Sequence, residues 1–155
     1  MQRQLLYYTS KVTGNSEMAL DVLQDVWMKV FREIRSLRNP SSMRTWLYRI
    51  AHGIAVDRIR QNISRERMEE SYVVGFSESE DVSFTYADAA AIHGALNELG
   101  LKHREVLVLF FLEELSLTEI AMVVGCSEGT IKSRLHYAKR MMKQILSGGG
   151  NETSR

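Results

Sequence analysis

The chain is expected to be all-α, with two small helical domains joined by a flexible linker and the second domain built round a helix-turn-helix. Three observations lead there. Apolar residues recur at a period near 3.6 through most of the 155 residues. That periodicity fails once, between residues 62 and 86. Charge changes sign at the same place: residues 1–62 carry ten Lys/Arg against five Asp/Glu, residues 63–90 two against seven, and residues 91–155 eight against seven. The net charge of +1 hides this alternation. Two segments able to face a polyanion are thus separated by an acidic, solvated connector. The expected divisions are a bundle at 1–62, a linker at 63–90, a helix-turn-helix domain at 91–146 and a disordered tail at 147–155.

The first helix is the run Leu5–Val12, closed by Thr13-Gly14-Asn15. The second spans Glu17–Leu37, with Asn15 or Ser16 as cap. Its inner stripe is Leu20, Leu23, Val26/Trp27, Val30/Phe31, Ile34 and Leu37. Asn39-Pro40 ends it, because the residue before proline is driven out of the α region. Ser41 or Ser42 caps a third helix from about Arg44 to Arg60, which turns Leu47, Ile50/Ala51, Ile54 and the stem of Arg58 inward. Three helices with short connections form a bundle. In the linker, Tyr72, Phe76, Phe84 and Tyr86 are scattered among Ser, Glu and Asp, either to bind a partner or as part of a solvated loop.

Helical pattern resumes near Ala87. His103–Leu112 reads as a strongly apolar helix, and Ser116-Leu117-Thr118-Glu119 as a capping box opening the helix Thr118–Val124. Gly125 supplies a left-handed turn residue and Ser127 caps a last helix, Glu128 to about Ile145, which buries Ile131, Leu135, Ala138, Met142 and Ile145. Helix, glycine turn and basic helix make a helix-turn-helix.

Several classes fall away on composition. No run of eighteen apolar residues is present to span a membrane, and the first residues lack the basic–apolar–small pattern, so no signal peptide is expected. The single cysteine, Cys126, forms no internal disulfide and reads as a packing residue in a reduced, cytosolic protein. His52, His93, His103 and His136 lack metal spacing, and no phosphate loop or nucleophile elbow occurs. No enzyme activity, cofactor or metal is expected.

DNA contact is the function the charges favour. The stretch 129–143 holds Lys132, Arg134, Lys139, Arg140 and Lys143 and no acid. The start of the last helix would enter the major groove, presenting Glu128, Thr130, Lys132, Ser133 and Arg134. Arg134 suits a guanine edge, Glu128 a cytosine amine, and Thr130 a base or phosphate. Lys132, His136, Lys139 and Arg140 would chiefly neutralise phosphate. The third helix sets Arg49, His52/Gly53, Val56 and Arg60 opposite its core stripe, in a slot able to follow a backbone. Trp46 and Tyr48 lie near its start, and Trp46 reads as a core anchor. The second helix leaves Asp21, Gln24, Asp25, Met28 and Lys29 outside its stripe, which alone would be ordinary surface.

Asp21-Val-Leu-Gln-Asp-Val-Trp, Phe31-Arg, Met43-Arg-Thr-Trp-Leu-Tyr-Arg-Ile-Ala and Asp57-Arg-Ile-Arg together resemble the promoter-melting domain of extracytoplasmic-function sigma factors of the sigma-70 class. Leu96-Asn-Glu-Leu, Arg104-Glu-Val-Leu-Val-Leu, Leu115-Ser-Leu-Thr-Glu-Ile-Ala and Gly129-Thr-Ile-Lys-Ser-Arg-Leu-His resemble their second DNA-binding domain. The resemblance implies a subunit that brings core RNA polymerase to promoter DNA. It places Asp21, Gln24, Asp25 and Met28 on the polymerase clamp. It assigns Arg38, Asn39, Ser41, Arg44, Trp46, Arg49, His52 and Arg60 to the −10 element, where an unstacked base is captured. The helix-turn-helix, through Glu128, Thr130, Lys132, Ser133, Arg134, His136, Lys139 and Arg140, would read the −35 element while its domain touches the polymerase flap. The acidic linker would run toward the RNA exit path, and an anti-sigma factor at the membrane is the implied regulator. Against that family, the chain begins late in its first helix, so a turn or more is expected to be missing. Gly53 stands where the family often has asparagine, removing a side chain from the DNA face. Without polymerase docking, the alternatives would be a stand-alone dimeric helix-turn-helix regulator or a protein-binding adaptor.

Overall fold

The computed structural model describes residues 1–68 and 86–148, and among these it holds seven α-helices and no strand. Tyr72, Phe76 and Phe84 of the expected linker, and residues 149–155 of the expected tail, lie outside the described residues. No helix among the described residues is long and apolar enough to cross a membrane. The chain divides into two compact units, one built on the first three helices and the other on the last four, apart from the end of the sixth.

In the first unit α1 (Gln2–Thr13), α2 (Ser16–Glu33) and α3 (Met43–Met68) each pack on the other two. Gly14 ends α1 in the left-handed region at φ 68°, where its N–H reaches the Ser10 carbonyl at 2.9 Å. Asn15 then caps α2, its Oδ1 accepting from the Met18 N–H at 3.1 Å. Leu5, Tyr8 and Val12 of α1 meet Ala19, Val22, Leu23, Val26 and Val30 of α2 and Leu47, Tyr48, Ile50, Ala51 and Ala55 of α3 in the core. Tyr8 and Tyr48 are fully enclosed and edge-on, with ring centroids 5.2 Å apart at 84°. Burial pushes the Tyr7 phenol well above its usual ionisation range.

The packing corrects the expected α2 stripe. Leu20 is 55% exposed and Phe31 79% exposed, and Ile34 also faces water. The buried line runs instead through Ala19, Val22, Val26 and Val30, whose small side chains let the neighbouring helices approach. α2 stops at Glu33 and tightens into a 3-10 turn, Ile34–Ser36, where the Ser36 hydroxyl donates to the Glu33 carbonyl at 2.6 Å. The cap before α3 is neither serine. Asn39 Oδ1 accepts from the Ser41 N–H at 3.1 Å, and a 3-10 turn over Pro40–Ser42 leads straight into Met43. On α3, Tyr48 and Ala55 are buried and Ile54 only half-buried. Trp46 is half-exposed and is not a core anchor. α3 also continues beyond the expected end near Arg60, to Met68.

The second unit contains α4 (Tyr86–Glu98), α5 (Leu101–Leu107), α6 (Leu117–Val124) and α7 (Glu128–Gly148), with α4 and α5 both packed on α7. Its core draws Ala95, Leu96 and Leu99 together with Val106–Leu109, Leu115, Ile120, Ile131, Leu135 and Ala138. Met142 and Ile145, expected inside, are half-buried. α5 widens into a π turn over Val108–Leu112. Glu105–Leu109 are buried, Phe110 is half-buried, Phe111 and Leu112 face outward across the wider turn, and Glu113 and Leu115 are buried again. Glu114 closes it in the left-handed region at φ 54°. Arg104 donates to the Leu99 carbonyl at 3.3 Å, and its burial lowers the guanidinium's affinity for the proton against the opposing pull of Glu105.

Candidate nucleic-acid interface

The helix-turn-helix is built by two caps that the sequence predicts. The Ser116 N–H donates to Glu119 Oε2 at 2.7 Å, and the Glu119 N–H returns a bond to Ser116 Oγ at 3.1 Å, a complete capping box for α6. Gly125 turns the chain at φ 78°, and Ser127 Oγ accepts from the Thr130 N–H at 3.2 Å to open α7. Ser127 and Thr130 also share a hydroxyl bond of 2.9 Å.

α7 buries Ile131, Leu135 and Ala138 and turns the opposite side outward. Glu128, Thr130, Lys132, Ser133, His136, Lys139 and Arg140 are all exposed, and Arg134 is half-buried. Glu128, Lys132, His136, Arg140 and Lys143 follow one another along one face at helical spacing. Of the residues expected at the −35 element, Glu128, Lys132, His136 and Arg140 share this row, whereas Thr130 and the half-buried Arg134 lie round the helix from it. Two features of α7 go beyond the sequence reading. Lys139 sits over the rings of Phe110 and Phe111, 5.5 and 5.4 Å from their centroids, so the π turn steers this cation. Tyr137, 55% exposed, stacks edge-on with His136 at 5.5 Å.

The expected −10 residues are less tightly grouped. Arg38, Asn39 and Ser41 are exposed around the 3-10 turn, and Asn39 is held by its bonds from Ser41. Arg44 and His52 are half-buried on α3, while Arg49 and Arg60 are exposed. Trp46 and Arg49 line a groove of about 300 Å³ with Lys29, Glu33, Ile50, Gly53, Ile54 and Asp57. Trp46, Arg49, Gly53 and Asp57 recur every three to four residues, which puts an aromatic face, a cation and a carboxylate along one side of α3. Gly53 leaves a gap there, with no atom within 4 Å of where a Cβ would stand. Lys29, Glu33 and Asp57 were not singled out for this site. Their place depends on how α2 lies against α3, which periodicity within one helix does not reveal.

On α2, Asp21, Gln24 and Met28 are exposed. Leu20 and Phe31 continue their face, making a stripe of alternating apolar and polar side chains open to water. Asp25 behaves differently from its expected companions. Its carboxylate accepts a charge-assisted hydrogen bond from Arg58 of α3, tying two helices of the bundle together.

Comparison with known proteins follows the same division. Residues 1–65 match Sigma-70 region 2 and residues 84–142 match Sigma-70, region 4. RNA polymerase sigma factor SigV of Bacillus subtilis is 30% identical over 133 residues, which cover 86% of this chain and 78% of that protein. The ECF RNA polymerase sigma factor SigW of the same organism is 30% identical over 149 residues, covering 88% of this chain and 79% of its own length. Among solved structures, the sigma factor RpoE, crystallised with the anti-sigma factor NepR from Bartonella quintana, superposes with a TM-score of 0.76 at 23% identity. That likeness covers 94% of this chain and 91% of RpoE.

Proposed function

The chain belongs to the extracytoplasmic-function sigma factors of the sigma-70 family, the RNA polymerase subunits that direct promoter-specific initiation, and from that premise we propose which of its surfaces performs each step. The exposed stripe of α2, with Asp21, Gln24 and Met28 joined by Leu20 and Phe31, docks on the polymerase clamp. The Arg38–Met43 segment and the α3 groove hold the unpaired strand of the −10 element. There Trp46 offers a ring face to an unstacked base and Arg49 a cation to its phosphate, while Asp57 can accept from an exocyclic amine. α7 reads the −35 element in duplex form, and its domain touches the flap. Residues 1–62, 91–146 and the acidic 63–90 therefore act as melting domain, duplex reader and connector.

One observation carries this division: an apolar stripe left open on α2 and a basic face on α7 occur in two separate compact units. A protein that only bound duplex DNA would gain nothing from exposing Phe31 and Leu20, whereas a subunit that docks buries them. The match to region 2 likewise sets aside a stand-alone regulator. RpoE is held by an anti-sigma factor. The same kind of partner would restrain this chain in the cytoplasm or at the membrane by covering the surfaces that polymerase needs. Run-off transcription with purified core polymerase tests the reading. Specific start sites should appear only when the chain is added, and should vanish with Phe31→Ala and with Arg134→Ala. Duplex binding by the chain alone, with no transcript, would overturn it.

A further inference from the structure

At the turn of the helix-turn-helix, two polar side chains are surplus to both caps. The α6 cap is complete with Ser116 and Glu119, and the α7 cap is complete with Ser127 and Thr130. Thr118 and Glu128 take no part in either. They find each other across the turn, the Thr118 hydroxyl donating to Glu128 Oε2 at 3.2 Å. Both are exposed, so neither is bonded merely to escape desolvation.

Glu128 is also in an unexpected place for a phosphate-binding face. It heads the row continued by Lys132, His136 and Arg140, where a carboxylate would be repelled by the DNA backbone. An acid at that position is favourable if it accepts a hydrogen bond from a base amine. Gly129 follows it and carries no side chain to hold the duplex away.

We infer that Thr118 is a positioning residue for base reading: its hydroxyl occupies one oxygen of Glu128 and turns the other outward to accept from a cytosine amine of the −35 element. The inference rests on α7 being the helix that reads this element. A glutamate has three side-chain torsions to immobilise, and a bond made before DNA arrives removes part of that ordering cost from recognition. A carboxylate accepts and never donates, so it rejects the acceptor-only edge of guanine as it selects the amine of cytosine. Thr118 thus contributes to sequence choice without touching DNA.

The experiment uses holoenzyme assembled from core polymerase and the full chain. Promoter duplexes randomised across the −35 element are selected by binding and sequenced. Glu128→Ala should abolish a cytosine preference at one position and so identify it. Thr118→Val, which keeps the shape and loses the hydroxyl, should lower that preference about threefold to tenfold, a share of one long side chain's ordering cost. Preferences at other positions should not move. Thr118→Ser should restore the preference, and Thr118→Val should add nothing in the Glu128→Ala background. A bond that only fastens α6 to α7 would lower binding to all sequences together, and that result would overturn the inference. So would an unchanged cytosine preference in Thr118→Val. If Glu128→Ala moves no preference while Arg134→Ala does, the inference fails and the assignment of α7 stands. If neither variant alters selection, the assignment of α7 itself is wrong.

Discussion

Asp25 separates two roles that a single substitution would otherwise confuse. It is proposed to join the adjoining stripe in clamp docking, yet it also bonds Arg58 of α3, so removing its charge would act on both docking and fold. The two side chains are 37% and 40% exposed, and water therefore screens the pair. An ion pair of that kind contributes at most about 1 kcal/mol. In a unit of this size that corresponds to a fall in Tm of about 4–8 °C. A docking contact near the centre of an interface is worth about 2 kcal/mol or more, close to thirtyfold in affinity. Asp25→Ala should therefore lower the Tm modestly and weaken core polymerase binding by a larger factor. Arg58→Ala removes the same ion pair but leaves Asp25 in place, so it should reproduce the loss of Tm with little loss of affinity. Thermal denaturation followed by circular dichroism and a fluorescence competition assay with core polymerase give the two quantities. Equal losses of affinity in both variants would refute the reasoning, since Asp25 would then act only by holding α2 against α3. Phe31→Ala provides the converse case: at 79% exposure it should leave Tm unchanged while weakening polymerase binding.

Further predictions concern each unit. Tyr8→Ala empties an enclosed site and deletes the edge-on contact with Tyr48, and should cost about 3–5 kcal/mol in denaturant unfolding of the first unit. Gly53→Ala meets no atom within 4 Å and should stabilise α3 by about 1 kcal/mol, read as a rise in Tm. Lys132→Ala removes one cation from the exposed face of α7, and should reduce the slope of log affinity against log salt by about 1 for duplex DNA of any sequence.

Local signals in the sequence carried the α-helical architecture far. The capping box at Ser116–Glu119, the caps at Asn15 and Ser127, and the glycine turns at 14 and 125 all depend on neighbours within a few residues, and all form as read. The basic, acid-free stretch 129–143 of α7 was legible for the same reason, because one helix sets both its period and its charge. What failed was the choice between adjacent apolar positions. In α2 the series through Leu20 and Phe31 and the series through Ala19 and Val30 fit the same helix, and only contact with α1 and α3 selects the second. Trp46 shows the same limit: its size favoured the core, but the small residues Ala51 and Ala55, with Tyr48, already fill that side of α3.

The sequence by itself determined the α-helical class, the caps at Asn15, Ser116 and Ser127, the two-part organisation and the family, because each rests on short-range hydrogen bonding, periodicity or charge along the chain. Only the tertiary structure decided which apolar side chains remain open for a partner, that Asp25 is joined to Arg58, and that Thr118 reaches Glu128 across the turn. Those outcomes depend on the rotation of one helix against another, and a rotation by one residue exchanges a core position for a surface one.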